Sequence, residues 1–189
     1  QSRLGRAADA DAAGRAMAIA TFASAPNGAQ DAPFLYDLLD VARVRTGKLR
    51  LKPVAVDLCK VLRDIYTVVL NEQHDVTVEL LIPTSALFIQ ADPTRLEQII
   101  WNLVNNALKF TPPKGRVQLI ASEAGKMARL DIKDNGAGIA AENLEHVFDL
   151  FGQAEKQHAT HNREGLGIGL SLVRQLAEAQ RGTVEVHSG

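Results

Sequence analysis

Four short segments in a fixed order constrain this chain more than anything else in it. They are Asn102-Leu-Val-Asn-Asn106-Ala-Leu-Lys109-Phe, Asp134-Asn-Gly136-Ala-Gly138-Ile139, Phe148-Asp-Leu-Phe151 and Gly165-Leu166-Gly167-Ile-Gly169-Leu170. Singly, each has an ordinary explanation, such as a solvated helix face, a strand-ending turn or a pair of core aromatics. Together they describe one pocket. It has amides on a helix, a carboxylate in a glycine turn, a loop able to cover a ligand, and a glycine-rich entry to another helix.

The elements between them follow from hydrophobic period and punctuation. Residues 1–25 are alanine-rich and could form a helix, although Gly5 and Gly14 weaken it. Residues 34–46 predict a helix, with Leu35, Leu38, Leu39, Ala42 and a later valine at helical spacing and Gly47 as its stop. Residues 49–56 form an extended connector. Asp57 is a candidate cap for a helix over 58–70. After His74 the period changes: Val76, Val78, Leu80 and Ile82 alternate as in a half-buried strand, and 87–91 gives a second one. Asp92-Pro93 opens a long helix whose stripe is Leu96, Ile99, Ile100, Leu103, Val104, Ala107 and Leu108. Strands over 116–123 and 128–134 are joined at Gly125-Lys126. A short helix near 142–146, a mobile loop over 149–164, a helix over 171–179 and a strand over 183–187 complete the chain. Strands that follow one another directly favour an α/β fold of the α+β kind. The expected architecture is a two-layer sandwich, its mixed and mostly antiparallel sheet covered on one face by helices, with an amino-terminal helical appendage.

Composition narrows the partners. With 21 basic and 22 acidic residues interspersed, nothing points to nucleic acid. No apolar run approaches the roughly 20 residues that span a bilayer, so no direct membrane contact is expected. The amino end opens polar, with Gln1-Ser-Arg, so no signal peptide is expected there. The lone Cys59, among Val56, Leu58, Val61 and Leu62, reads as a buried hydrophobe in a reducing compartment. A cytoplasmic location follows as the expectation, with a membrane anchor elsewhere in a longer parent left open.

Asn102, Asn106 and Lys109 stand at i, i+4 and i+7, on one helix face away from the leucines. Amide carbonyls there suit Mg²⁺, a hard cation that reaches proteins through a few oxygens and substrate phosphates. Lys109 can meet a phosphate as a point charge. Asp134, directly after a strand, can accept a hydrogen bond from an exocyclic amine and so select adenine. Gly136 and Gly138 permit close approach and positive φ. Gly165, Gly167 and Gly169 precede a helix start, where backbone amides attract anions. Phe148 and Phe151 flank the loop, as core or as its hinges. ATP satisfies the whole set. No Gly-x-x-x-x-Gly-Lys-Ser/Thr sequence is present, which excludes a P-loop.

In order and spacing the four segments resemble the N, first glycine, F and second glycine boxes of sensor histidine kinases, and more widely the gyrase, heat-shock-chaperone and MutL-type ATPases. Asp92-Pro-Thr-Arg-Leu-Glu-Gln98 and Lys109-Phe-Thr-Pro resemble the kinases specifically. Leu38-Leu-Asp-Val-Ala-Arg43-Val-Arg-Thr-Gly47-Lys-Leu is similar to the end of their second dimerisation helix. The likeness covers about residues 34–189. It implies a helical segment over 1–48, with 1–33 divergent, a linker over 49–56 and an ATP-binding catalytic domain over 57–189. It also implies catalytic roles for Asn102 and Lys109, Mg²⁺ on Asn106 and phosphate on Lys109. The nucleotide would be lined by Asp134, Gly136, Gly138, Ile139, Phe148, Phe151, Gly165, Leu166, Gly167, Gly169 and Leu170. The implied activity is transfer of the ATP γ-phosphoryl group to a histidine, for relay to an aspartate of a response-regulator receiver domain. The implied parent is a homodimer through its helical region.

Three departures accompany the likeness. No His-Glu/Asp-Leu-Arg-x-Pro box occurs, and the first histidine is His74, so this chain is not expected to phosphorylate itself. The family usually continues past Gly189 into one more strand. Arg181-Gly182 stands where Gly-Gly is usual. Two alternatives remain open. One is a nucleotide-binding pseudokinase or protein-interaction module. The other is a hydrolytic ATPase, disfavoured because Asn102 occupies the position where those relatives carry a water-activating glutamate, and an amide cannot act as a base.

Overall fold

A computed structural model describes residues 32–72, 74–150 and 168–189. The elements are α1 (Ala32–Arg45), β1 (Val54–Asp57), α2 (Leu58–Asn71), β2 (Thr77–Leu81), β3 (Phe88–Ala91), α3 (Pro93–Phe110), β4 (Arg116–Ala124), β5 (Met127–Asp134), α4 (Ala141–Leu144) and α5 (Gly169–Ala179). The predicted helix over 1–25 and residues 151–164 of the predicted loop lie outside the described residues.

The mixed α+β layering is as expected, with the strands divided between two ladders. β1 and β3 pair antiparallel, so the end of the 49–56 connector enters a strand. The second ladder runs β2-β4-β5, its first pair parallel and its second antiparallel. The parallel pair is made possible by the long excursion through β3 and α3. β4 and β5 close around Gly125-Lys126, where Gly125 has φ +65°. Positive φ at the first loop position is the type II′ pattern, whose twist suits a hairpin.

Caps and stripes set the helix limits. The Asp57 carboxylate accepts from the Cys59 amide at 3.0 Å and from Leu87 N at 3.2 Å, capping α2 and clipping it to the segment before β3. Asp92 accepts from Arg95 N at 3.2 Å and from Lys52 N at 2.8 Å, so one carboxylate caps α3 and fixes the connector. The core joins Leu62, Ile65 and Val69 of α2, Ile100, Leu103 and Val104 of α3, and Val117, Leu119 and Ile132 of the sheet. Cys59 is fully buried, as its neighbours suggest. A second cluster holds Val41 of α1 against Ile99 of α3 and Leu172, Leu176 and Ala177 of α5.

Two expectations are corrected. The face that α1 turns to the domain carries Asp40, Val41 and Val44, whereas Leu39 and Ala42 of the predicted stripe are exposed. The side chains of Leu35 and Leu38 lie outside the described residues. The seat on α3 and α5 is half polar; of the stripe's described members Leu39 and Ala42 miss it, while the later valine, Val44, packs on it. Second, residues 183–187 form no strand. Their burial alternates, with Val184 and Val186 half-buried between exposed neighbours, but they join no ladder among the described residues. The period is kept and the backbone pairing is not.

α5 ends in a Schellman motif, with Gly182 N–H on the Ala177 carbonyl at 2.8 Å and Arg181 N–H on Glu178 at 2.9 Å. The left-handed position of that motif is held by Arg181, at φ +62°. An L side chain there costs about 1 kcal/mol that glycine avoids. Arg181→Gly is therefore expected to stabilise the protein by about 1 kcal/mol, read as a higher midpoint in urea with an unchanged slope.

Candidate functional site

The site is assembled along α3. Asn102 and Asn106 are half-buried on the face away from the core stripe, and Lys109 is exposed one turn on, its Nζ 5.6 Å from the Phe110 ring. Asn102 Nδ2 is buried with no hydrogen-bond partner among the described residues. A Cβ placed on Gly169 would stand 3.0 Å from Asn102 Oδ1, so glycine at the start of α5 lets that helix close onto α3. The first and fourth segments thus meet at Asn102 and Gly169.

The second segment meets the end of the same helix. Register in the β4–β5 ladder sets Asp134 opposite Val117, on the face with Leu119 and Ile132. A polar side chain therefore stands where the strand pattern would place a core residue. Asp134 is buried, and its Oδ1 accepts from the Gly136 amide at 2.8 Å. Burial raises its pKa above the ordinary 3.8, opposed by that amide. The other carboxylate oxygen has no partner among the described residues and can take a donor from a ligand.

Gly136 and Gly138 have different reasons to be glycine. Gly138 has φ +70°. Gly136 does not have positive φ, contrary to the sequence expectation. A Cβ on it would lie 2.4 Å from the Phe110 carbonyl oxygen and 2.7 Å from Asp134 Oδ1. The close approach is to the protein's own backbone, and the Ala137 amide bonds that same carbonyl at 3.4 Å. Beyond it, Ile139 N–H donates to Ser188 Oγ at 2.8 Å. That contact spans 49 residues and had no signal in the sequence.

Of the third segment, Phe148 is half-buried, with the Arg174 guanidinium of α5 5.7 Å from its ring centroid. Leu170 packs against the main core. Phe151, Gly165, Leu166 and Gly167 lie outside the described residues. Every segment is thereby tied to α3 or α5 through residues that are described. No cluster of three His, Cys, Asp or Glu suited to a metal occurs among the described residues. A cation here would rest on amide oxygen and phosphate, which fits Mg²⁺ and its preference for few protein ligands. Asn106, half-buried and with no hydrogen-bond partner among the described residues, fits that role.

Residues 91–189 match the family described as histidine kinase-, DNA gyrase B- and HSP90-like ATPase, and the chain belongs to it. Within that family it is the ATP-binding catalytic domain of the sensor histidine kinase type. It is 33% identical over 156 residues to the aerobic respiration control sensor protein ArcB of Escherichia coli, covering 80% of this chain and 20% of ArcB. It is 36% identical over 164 residues to the autoinducer 2 sensor kinase/phosphatase LuxQ of Vibrio cholerae, covering 82% and 19%. The crystal structure of full-length ShkA in complex with AMPPNP superposes with a TM-score of 0.66 at 29% identity, over 78% of this chain and 30% of ShkA. The chain spans about a fifth of the length of the two sensor proteins. Among the described residues, no helix is long and apolar enough to cross a membrane.

Proposed function

We propose that this domain binds Mg²⁺-ATP and positions its γ-phosphoryl group for transfer to a histidine in another part of its parent protein, for relay to an aspartate of a response-regulator receiver domain. The observation that carries this reading is the convergence on α3. Asn102 and Asn106 lie along its face, Gly169 closes on its middle, and Asp134 with Gly136 closes on its end. Asp134 would hold the adenine amine. Asn106 would hold Mg²⁺, which would supply neutralisation of the phosphate charge. Lys109, exposed at the rim, would reach the phosphate end. The catalytic power of such a site is positioning and charge neutralisation. Asn102 offers an amide where a hydrolytic relative would need a base, so water activation is not among its tools.

A parent that dimerises through its helical region is supported by the exposure of Leu39 on α1. None of the five histidines sits in a phosphoacceptor box, so this chain by itself should not label with [γ-³²P]ATP. The deciding experiment is calorimetric titration with an ATP analogue, with and without Mg²⁺. Wild type is expected to bind more tightly with Mg²⁺. Asn106→Ala is expected to lose that enhancement, by about tenfold or more in affinity, while keeping its fold. An Mg²⁺ enhancement that survives Asn106→Ala would remove the metal role. No binding by folded wild type would remove the reading.

A further inference from the structure

The joint between α1 and the rest of the chain carries more charge than its burial can hold without help. Asp37 and Asp40 stand one turn apart on α1 and both face α3. Asp40 is buried and takes the Arg95 guanidinium, with Nη2 on Oδ1 at 3.2 Å and Nη1 on Oδ2. Gln98, also buried, donates Nε2 to Asp40 Oδ2 at 2.8 Å and bonds the Asp37 carboxyl, while its Oε1 receives Arg95. Asp40 thus has the guanidinium and the amide, while Asp37 has the amide and stands beside a second carboxylate. Arg43, on the same helix, reaches Asp40 at 3.4 Å from an exposed position. From α5 the seat receives apolar Leu172, Leu176 and Ala177; half-buried Gln175 is polar but uncharged, and Arg174 and Glu178 pair with each other at 3.0 Å on the exposed side. Glu97, the other acid of that turn of α3, interacts with Asp64 and Lys60 of α2.

We propose that α1 is seated on α3 and α5 by a proton-dependent joint: Asp37 carries a proton while the helix is docked beside the Asp40–Arg95 pair, and the helix loosens when that proton leaves. The chemistry is that of a carboxyl set in the seat beside a second carboxylate, with the Arg95 guanidinium bonded to Asp40 and the Gln98 amide bonded to Asp37. Burial, with Asp40 adding to it, raises the pKa of Asp37 from 3.8 to about 6, against the Gln98 bond. The docked state thus binds the proton more tightly than the released one. Docking is strongest below pH 3.8 and weakens as pH rises through about 6. The joint stands on packing and charge alone, beyond the nucleotide reading above. It bears on the site because α3 and α5 also carry Asn102, Asn106 and Gly169.

Amide hydrogen exchange of the full chain at pH 5 and pH 7.5, corrected for intrinsic rates, tests it. A released α1 of 14 residues is too short to hold its helix alone, so release appears as lost protection. Protection over residues 37–45 is expected to fall about tenfold from pH 5 to pH 7.5. Amides of α2 and α3 in the same sample report the fold. Asp37→Asn is expected to keep α1 protected at both pH values, Asp37→Ala gives an independent variant should the amide strain the seat, and Arg95→Ala should lose protection at both. Wild-type protection that is flat across the range, or the same fall in both Asp37 variants as in wild type, would overturn the proposal.

Discussion

Gly136→Ala is expected to cost about 1–3 kcal/mol of stability and to weaken nucleotide binding by on the order of a hundredfold. The added methyl would stand 2.4 Å from the Phe110 carbonyl oxygen, a backbone atom at the end of the helix that carries Asn102 and Asn106. It cannot be accommodated by a side-chain rotation. The β5–α4 turn must move off α3, which breaks the 3.4 Å bond from Ala137 N to Phe110 O and pulls Asp134 from its 2.8 Å bond to the Gly136 amide. Gly125→Ala is the control. Gly125 sits at φ +65° with nothing within 4 Å of a built Cβ, so alanine there costs about 1 kcal/mol of backbone strain and leaves affinity unchanged. Chemical denaturation and analogue titration of both variants separate the two effects. Equal affinity in Gly136→Ala and wild type would show that the turn is not fastened to the site.

The contrast between these two glycines marks the limit of reading the chain directly. Local chemistry was legible. The Asp57 and Asp92 caps, the stripe of α3 and the hairpin at Gly125-Lys126 each depend on residues within a few positions of one another. The family was legible too, from four segments in their order; which of their residues hold nucleotide is the proposal made above. What was hidden is tertiary. Gly136 looked like a turn glycine, and its reason is a carbonyl 26 positions earlier. Asp40 gave no signal, and it is buried because Arg95 and Gln98, more than 50 positions later, receive it. Residues 183–187 alternate as a strand should, yet alternation reports burial and not whether an adjacent backbone offers hydrogen bonds. A buried acid mid-helix beside a buried valine, as at Asp40-Val41, is the one local hint that could have found the α1 joint.

Asp134→Asn separates the stability of the fold from its proposed use. The substitution keeps the shape of the side chain and one oxygen to receive the Gly136 amide, and it removes a charge that burial disfavours. Because the pKa of Asp134 is raised in the folded protein, ionisation costs stability there. Wild type should lose stability as pH rises from below 3.8 through the raised value, and the asparagine variant should lack that loss. Its melting temperature at neutral pH is thus expected to equal or exceed that of wild type. Nucleotide binding should move the other way. With the oxygen on Gly136, the amide nitrogen faces the ligand, and a donor then meets the donor amine of adenine, weakening binding by about tenfold to a hundredfold. Guanine presents an acceptor at the corresponding ring position, so the ratio of ATP to GTP affinity should fall as well. Thermal melts across pH with parallel ATP and GTP titrations measure all three quantities. A variant that melts at or above wild type and still prefers ATP undiminished would show that Asp134 is a structural acid closing a turn, and the adenine contact would have to be sought elsewhere along α3.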